Sequence, residues 1–347
     1  MSLLQKTVDS IGDLNQNALE EAQKRLDFLL KPQGSLGKLE DIAKKLAGIS
    51  GNVFNNVDKK AIIIMCGDNG VYDEKVASFP KDVSMLVAET MLSGICGVAV
   101  LAKNVNAKLR VVDLGLEKDV KIPGIVNRKI RRGTSNFAKG AAMSREEAIK
   151  AIEIGIEETN KLIDEGYNLI GTGEVGIGNT TTSSAILYAF TKENLDLIVG
   201  RGAGLSDEGL TLKKQVIKKG VELNNPDPND PIDVLAKVGG FDLAGLTGCY
   251  LGAAARRVPI VIDGFISGVA AICAAKINPK VKNFMITSHG SAEPGSKKIA
   301  EVLGMEPMLF MNMRLGEGTG CALAFHIIDT ATKMMKEMGT FADIGLA

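Results

Sequence analysis

Apolar residues along the chain fall into two alternating kinds of stretch. One kind is short and unbroken. Ala61-Ile-Ile-Ile-Met-Cys66 is rich in β-branched residues and suits a strand buried on both faces of a parallel sheet. Similar runs follow at 109–114, 168–172, 196–199, 258–262 and 283–287. The other kind repeats at helical spacing. Leu19, Ala22, Leu26, Leu29 and Leu30 form one such stripe; Pro32, Gly34 and Gly37 interrupt it, and Leu39, Ile42, Leu46 and Ile49 resume it. Helices are also expected over 83–103, 183–190, 209–223 and 264–275, from the capping box Ser144-Arg-Glu-Glu147 toward Glu165, and from Glu317 to about Gly339. Strand–helix alternation of this kind predicts an α/β fold with a doubly wound parallel sheet of about six strands. Residues 51–320 form the expected large α/β domain. The tail is placed to pack on the N-terminal helices, so that 1–50 with 321–347 make a small helical domain.

Ligands of doubly wound sheets bind at the carboxyl ends of the strands. Glycine, polar and acidic residues collect at those positions: Gly67-Asp-Asn-Gly70, Asp113-Leu-Gly115, Gly171 to Thr180, Gly200-Arg-Gly-Ala-Gly204, Asp263-Gly264 and Ser288 to Glu293. The Gly171 to Thr182 loop precedes a predicted helix, and backbone N–H groups in such a loop bind phosphate. Asn179 and Thr180-Thr-Thr182 add side-chain donors. Gly171-Thr-Gly173-Glu-Val-Gly176 also fits the Gly-x-Gly-x-x-Gly dinucleotide pattern, but Glu174 would press a carboxylate toward a pyrophosphate. The same carboxylate suits a developing cation, such as ribose C1 in a glycosyl transfer, or else it caps the loop or pairs with a lysine. Lys213 and Lys214 lie on the following helix, either for phosphate or on a solvated face. Ser291 is a further donor, and His289 reads as a buried, hydrogen-bonded histidine. In Met313-Arg-Leu-Gly-Glu-Gly-Thr-Gly320, one glutamate sits between glycines just before an apolar helix. That place suits proton transfer, or a tight turn with a solvated side chain.

Composition narrows the classes. The 347 residues carry 41 basic and 41 acidic side chains, so no nucleic-acid or anionic-membrane footprint appears. Tryptophan is absent, which argues against base-stacking platforms. The five cysteines are scattered with no Cys-x-x-Cys pair, as expected for buried free thiols in the cytoplasm. With two histidines, a histidine-based metal site is not expected. Residues 1–15 lack a signal-type apolar core, and no apolar stretch is read as a membrane span.

Lys31-Pro-Gln-Gly-Ser-Leu-Gly-Lys-Leu-Glu40, Gly173-Glu-Val-Gly-Ile-Gly-Asn-Thr-Thr181, Lys237-Val-Gly-Gly-Phe-Asp242, Asp263-Gly-Phe265 and Met313 to Gly320 resemble, in order and over nearly the whole chain, the nicotinate-nucleotide–dimethylbenzimidazole phosphoribosyltransferases of cobamide lower-ligand assembly. The resemblance implies a Rossmann-like large domain, a small domain built from both termini, and a dimer with its sites at the interface. It implies transfer of 5-phosphoribose from nicotinate mononucleotide to an aromatic base, with inversion to an α-linkage, without metal or cofactor. By motif, Glu317 becomes the general base and Glu174 lies near the ribose. Gly176, Ile177, Gly178, Asn179, Thr180, Gly202, Lys213, Asp263 and Ser291 would hold phosphate and ribose. Val175, Arg314, Leu315 and Gly316 would line the nicotinate and base pocket.

The first half departs from the family pattern. The usual Asp-His-Gly after the first strand is Asp68-Asn69-Gly70 here. A serine and a glutamine at the rim of the base pocket align with Phe79 and Val87. Two polar contacts to a benzimidazole would thereby become apolar surface, which points to a phenol or p-cresol acceptor; a subset of the family uses such acceptors and works as a pair of related subunits. The alternative acceptor is 5,6-dimethylbenzimidazole. The rival classes are a nicotinamide-dinucleotide oxidoreductase, resting on the glycine pattern, and a non-catalytic partner subunit, against which both retained glutamates speak.

Overall fold

The computed structural model describes residues 1–346; Ala347, the end of the expected C-terminal segment, lies outside the described residues. Six strands make one parallel sheet: β1 (Lys60–Gly67), β2 (Ala107–Gly115), β3 (Val126–Asn127), β4 (Leu169–Val175), β5 (Ile260–Ile262) and β6 (Met285–Thr287). Their order is β3-β2-β1-β4-β5-β6, and every adjacent pair is parallel. This is the doubly wound arrangement expected from the alternating pattern. Winding reverses between β1 and β4, so the crevice beyond their carboxyl ends is the natural ligand position.

The helices are α1 (Leu3–Ser10), α2 (Gln16–Phe28), α3 (Lys38–Ser50), α4 (Asp82–Ser93), α5 (Gly97–Asn104), α6 (Arg145–Asp164), α7 (Asn179–Thr191), α8 (Leu195–Ile198), α9 (Asp207–Asn224), α10 (Pro231–Val238), α11 (Phe241–Ala255), α12 (Phe265–Ile277), α13 (Ser296–Leu303) and α14 (Thr319–Glu337). The period of two in β1 sorts its side chains between two apolar clusters. Ala61, Ile63 and Met65 join α6, α7 and α9 to α13 on one face. Ile62, Ile64 and Cys66 join α2 to α5 and α14 on the other. The terminal helices α2, α3 and α14 therefore share a core with the sheet. Arg25 Nη2 on α2 donates to the Met338 carbonyl at 3.0 Å, tying the two ends of the chain together. The first helix, α1, lies on the opposite face, where the Leu4 N–H donates to Glu153 at 3.0 Å.

Two expectations are corrected. The run 196–199 is no strand: residues 195–198 form the single-turn α8, whose Asn194 cap accepts from the Asp196 N–H. Leu197 is 59% exposed, so the run lacks the two buried faces an interior strand needs. The sixth strand is instead β3, two residues paired to β2. The stretch Asp82–Asn104 is also, by its 23 residues and hydropathy, long enough to cross a bilayer, although none was expected. It is broken at Gly94, at φ +79°, into α4 and α5, which lay Ala88, Met91, Val98 and Ala102 onto the sheet. The capping box forms as expected at the start of α6.

Candidate active site

A cavity of about 330 Å³ opens at the carboxyl ends of β4, β5 and β6. Glu174, near the end of β4, forms its floor with Asn179 and Thr180 at the start of α7. Asp263 and Phe265 follow β5, while His289, Ser291 and Glu293 follow β6. Phe79 comes from the segment before α4, Gly202 from the loop before α9, and Arg314, Leu315 and Gly316 from the stretch before α14. Arg314 Nη1 donates to the Gly202 carbonyl at 3.1 Å, joining two of these segments. A recess of about 70 Å³ continues past Gly176, Ile177 and Gly178 and shares Phe79, Asn179 and Thr180 with the main cavity. A Cβ at Gly176 would overlap the Gly67 carbonyl oxygen, so the ends of β1 and β4 meet only because that residue is glycine.

Four expected site residues line neither space. Val175 is buried in the apolar cluster below. Val87 is half-buried against the same cluster. The turn of α4 sends Ala88 inward and leaves Leu86 51% exposed, with Val87 on the flank between them, one helical turn beyond Ser84, whose Oγ accepts from the Ile177 N–H at 2.9 Å. Lys213 lies fully buried behind the wall, its Nζ donating to Thr180 Oγ1 at 2.8 Å and to the Gly200 carbonyl at 3.1 Å. Burial lowers its amine to about 8, while the neighbouring Glu293 pushes it back up. A buried ammonium attached to a cavity-lining hydroxyl is suited to an anion. Lys214 instead pairs with Asp196.

Glu317 is the fourth. It is half-buried, has φ +62°, and stands between Gly316 and Gly318, also left-handed. Such a conformation costs a non-glycine residue about 1–3 kcal/mol and concentrates at functional sites. Its Oε2 accepts from the Val98 N–H at 3.1 Å, in the first turn of α5, at the positive end of the helix dipole. The Cys96 thiol beside it is pushed up by burial and by the Glu317 charge.

The floor is acidic. Burial raises the Glu174 carboxyl well above its usual range, and the charges of Asp242 and Asp263 add to this; the Asn179 amide and the Glu317 backbone N–H oppose it. Asn179 Nδ2 donates both to Glu174 and, at 3.2 Å, to Asp242 Oδ2. Asp263 edges the cavity, but its oxygens serve the glutamate loop. Oδ2 accepts from the Gly318 N–H at 3.1 Å, and Oδ1 from Gly320 at 2.7 Å and Cys321 at 3.3 Å. Burial still pushes Asp263 up to about 7. Next to it His289 is buried, with Nδ1 3.2 Å from Ser288 Oγ, and burial lowers its pKa.

The glycine pattern has a different purpose from the one that suggested a dinucleotide. Gly171 and Gly173 lie inside β4. A Cβ on Gly171 would stand 2.7 Å from Cys321 Cβ, and one on Gly173 would overlap the Glu317 carbonyl oxygen. Both are glycines because α14 and its leading loop press on the strand. Sequence reasoning missed Asp242, Asn69, Glu293 and Phe265 as parts of this neighbourhood. Asp242, Asn69 and Phe265 lay within motifs already conspicuous, and Glu293 closed the polar stretch after β6.

A doubly wound sheet with an anion-suited helix start and a buried carboxylate floor beside its switch point defines a nucleotide-handling α/β enzyme. Residues 11–346 match the phosphoribosyltransferase family model. The nicotinate-nucleotide–dimethylbenzimidazole phosphoribosyltransferase of Acetivibrio thermocellus is 58% identical over 98% of this chain and 97% of its own length. The protein of that name from Ruminiclostridium cellulolyticum is 56% identical over 98% and 96%. The crystal structure of the enzyme so named from Thermus thermophilus superposes with a TM-score of 0.91 at 33% identity, covering 96% of this chain and 99% of that one. The chain belongs to the nicotinate-nucleotide–dimethylbenzimidazole phosphoribosyltransferase family. It is a pentosyl-transferring enzyme.

Proposed function

We propose that the chain transfers 5-phosphoribose from nicotinate mononucleotide to an aromatic lower-ligand base of cobamides, and that a small phenol is the preferred acceptor. The observation that carries the transfer is the pairing of an anion-suited corner, Thr180 with the buried Lys213, with the carboxylate floor at Glu174 across one cavity. Phosphate fits the start of α7 and ribose C1 fits over Glu174. The C1–nitrogen bond breaks with its electron pair left on nicotinate. The acceptor oxygen forms the new bond to C1 and its proton passes to Glu317. Because nicotinate leaves as a neutral pyridine, most of the acceleration comes from holding the two partners in line.

The phenolic preference rests on Phe79, which is 48% exposed and lines both parts of the cavity; Val87 no longer contributes to it. A benzimidazole acceptor is the second reading, favoured by the name that the relatives share. Assays with nicotinate mononucleotide and either phenol, p-cresol or 5,6-dimethylbenzimidazole decide between them. Turnover on the phenols above that on the benzimidazole is the expected result, and turnover on the benzimidazole alone overturns the preference. We also read the exposed apolar residues Ile95, Val100, Phe310 and Met311 as covered by a second copy of the chain, so that the pure protein is expected to sediment as a dimer and a monomer overturns this reading.

A further inference from the structure

Behind the floor of the cavity two buried oxygen atoms lie close together, each overlapping the place where a Cβ on Gly240 would stand. Asn69 is 1% exposed and Asp242 is 0% exposed. Asn69 Nδ2 donates to the Gly67 carbonyl at 3.3 Å and the Ile177 carbonyl at 3.4 Å. Those two carbonyls fix the amide, since the flipped form would set its oxygen against both. Asn69 Oδ1 therefore points away from them, and it has no partner; Asp242 Oδ1 has none either. Both oxygens crowd the same point, where a Cβ on Gly240 would stand. Two acceptors aimed at one buried spot repel unless a hydrogen lies between them. Asp242 Oδ2 is already occupied by Asn179, which leaves Oδ1 to carry that hydrogen.

We propose that Asp242 is a positioning residue that works as a neutral carboxylic acid, its Oδ1–H donating to Asn69 Oδ1 while its Oδ2 accepts from the Asn179 amide that holds Glu174. Each link of the chain Asn69–Asp242–Asn179–Glu174 then has one donor and one acceptor. Through the shared Asn179 amide, Asp242 is tied to Glu174, the carboxyl that faces the cavity. The titratable groups facing Asp242 are Glu174 on β4 and Asp68 and Cys66 at the end of β1; Arg131 stacks on the adjacent Phe241 ring at 5.3 Å. No basic side chain is among the main groups that shift either carboxyl. Burial pushes Asp242 up to about 7; the Asn179 amide and the Leu243 and Asp242 backbone N–H groups at the start of α11 oppose the rise, and the Asp68 charge adds to it.

The test combines infrared spectroscopy with kinetics. One carboxylic acid C=O component at neutral pH, separate from any given by Glu174 and Asp263, should be lost in Asp242→Asn and fade from the wild type as pH rises through about 7. Asparagine supplies an N–H toward Asn69 and an oxygen toward Asn179. Wild-type transfer should decline as Asp242 ionises above about 7, and Asp242→Asn should restore transfer to within a few-fold of wild type and remove that decline. Asp242→Ala strands two buried polar groups and should lose about tenfold or more. Absence of the band, an asparagine variant as damaged as the alanine variant, or a requirement for potassium or sodium, which would place an ion between the oxygens, each overturns the proposal. The kinetic arm rests on the proposed transfer reaction. The infrared arm does not, so failure of one is distinguishable from failure of the other, and it reads the asparagine variant even where the alanine variant fails to fold.

Discussion

Glu174 and Glu317 each follow a glycine, yet their surroundings are opposite. Glu174 belongs to a strand, is 6% exposed, and shares an amide with a second buried carboxyl. Glu317 belongs to a loop, is half-buried in a left-handed conformation, and takes a backbone N–H from the start of a helix. The two meet at Gly316, where a Cβ would stand against Glu174 Oε1. One residue type thus supplies a fixed, desolvated floor and a separate, accessible carboxylate in the same neighbourhood. Different environments for two nearby carboxyls are how a site divides proton transfer from charge stabilisation.

The sharpest way to break that division is to neutralise each glutamate in turn. Glu317→Gln should lower kcat about 10²–10⁴-fold, as loss of a general base does. The loss should shrink with a more acidic phenol as acceptor, because such a phenol sheds its proton unaided. Glu174→Gln should cost about 10²–10³-fold irrespective of acceptor acidity, if it acts on the developing ribosyl charge. Equal dependence on acceptor acidity in both variants would erase the distinction. Lys213→Met should raise KM for nicotinate mononucleotide about tenfold with a smaller effect on kcat, since a charge-assisted contact contributes about 1.5–3 kcal/mol.

Two smaller effects probe the setting of the glutamates. Gly173→Ala would force the Glu317 carbonyl off the strand. It should destabilise the protein by about 1–3 kcal/mol, read as a lower Tm, and should lower transfer as well. The pH dependence of stability has a definite sign. Asp242 and Asp263 are each raised to about 7, so the folded state binds more protons than the unfolded chain above the ordinary aspartate range. Their contribution is fully present in acid and is lost as pH rises from about 4 through about 7. Relative to wild type, the Asp242→Asn protein should therefore gain denaturant resistance over that interval and hold the gain above it.

Much of the fold was legible because buried parallel strands leave an unbroken β-branched run, as at 61–66 and 109–114. β3 was not, because two residues make no pattern. The run 196–199 misled because four residues with three apolar side chains fit one helical turn as well as a strand. α11 lacks a readable stripe because it is buried almost all round. At the site, glycine-rich strand ends pointed to the cavity and Glu174, and the glycine-flanked motif before α14 pointed to Glu317. The role of Asp242 was invisible, since it depends on meeting Asn69 from 173 positions earlier in the chain.

The contact between Gly173 and the carbonyl of Glu317 has one more implication. It gives the loop a mechanical reference: the height of the glutamate above the sheet is gauged against strand backbone, the stiffest part of the molecule. The rim that carries Phe79 has no such gauge. On the proposed reaction, exchanging rim side chains such as Phe79 should change acceptor preference while the carboxylate keeps its registration, as a tolerant host for transplanted base pockets would allow.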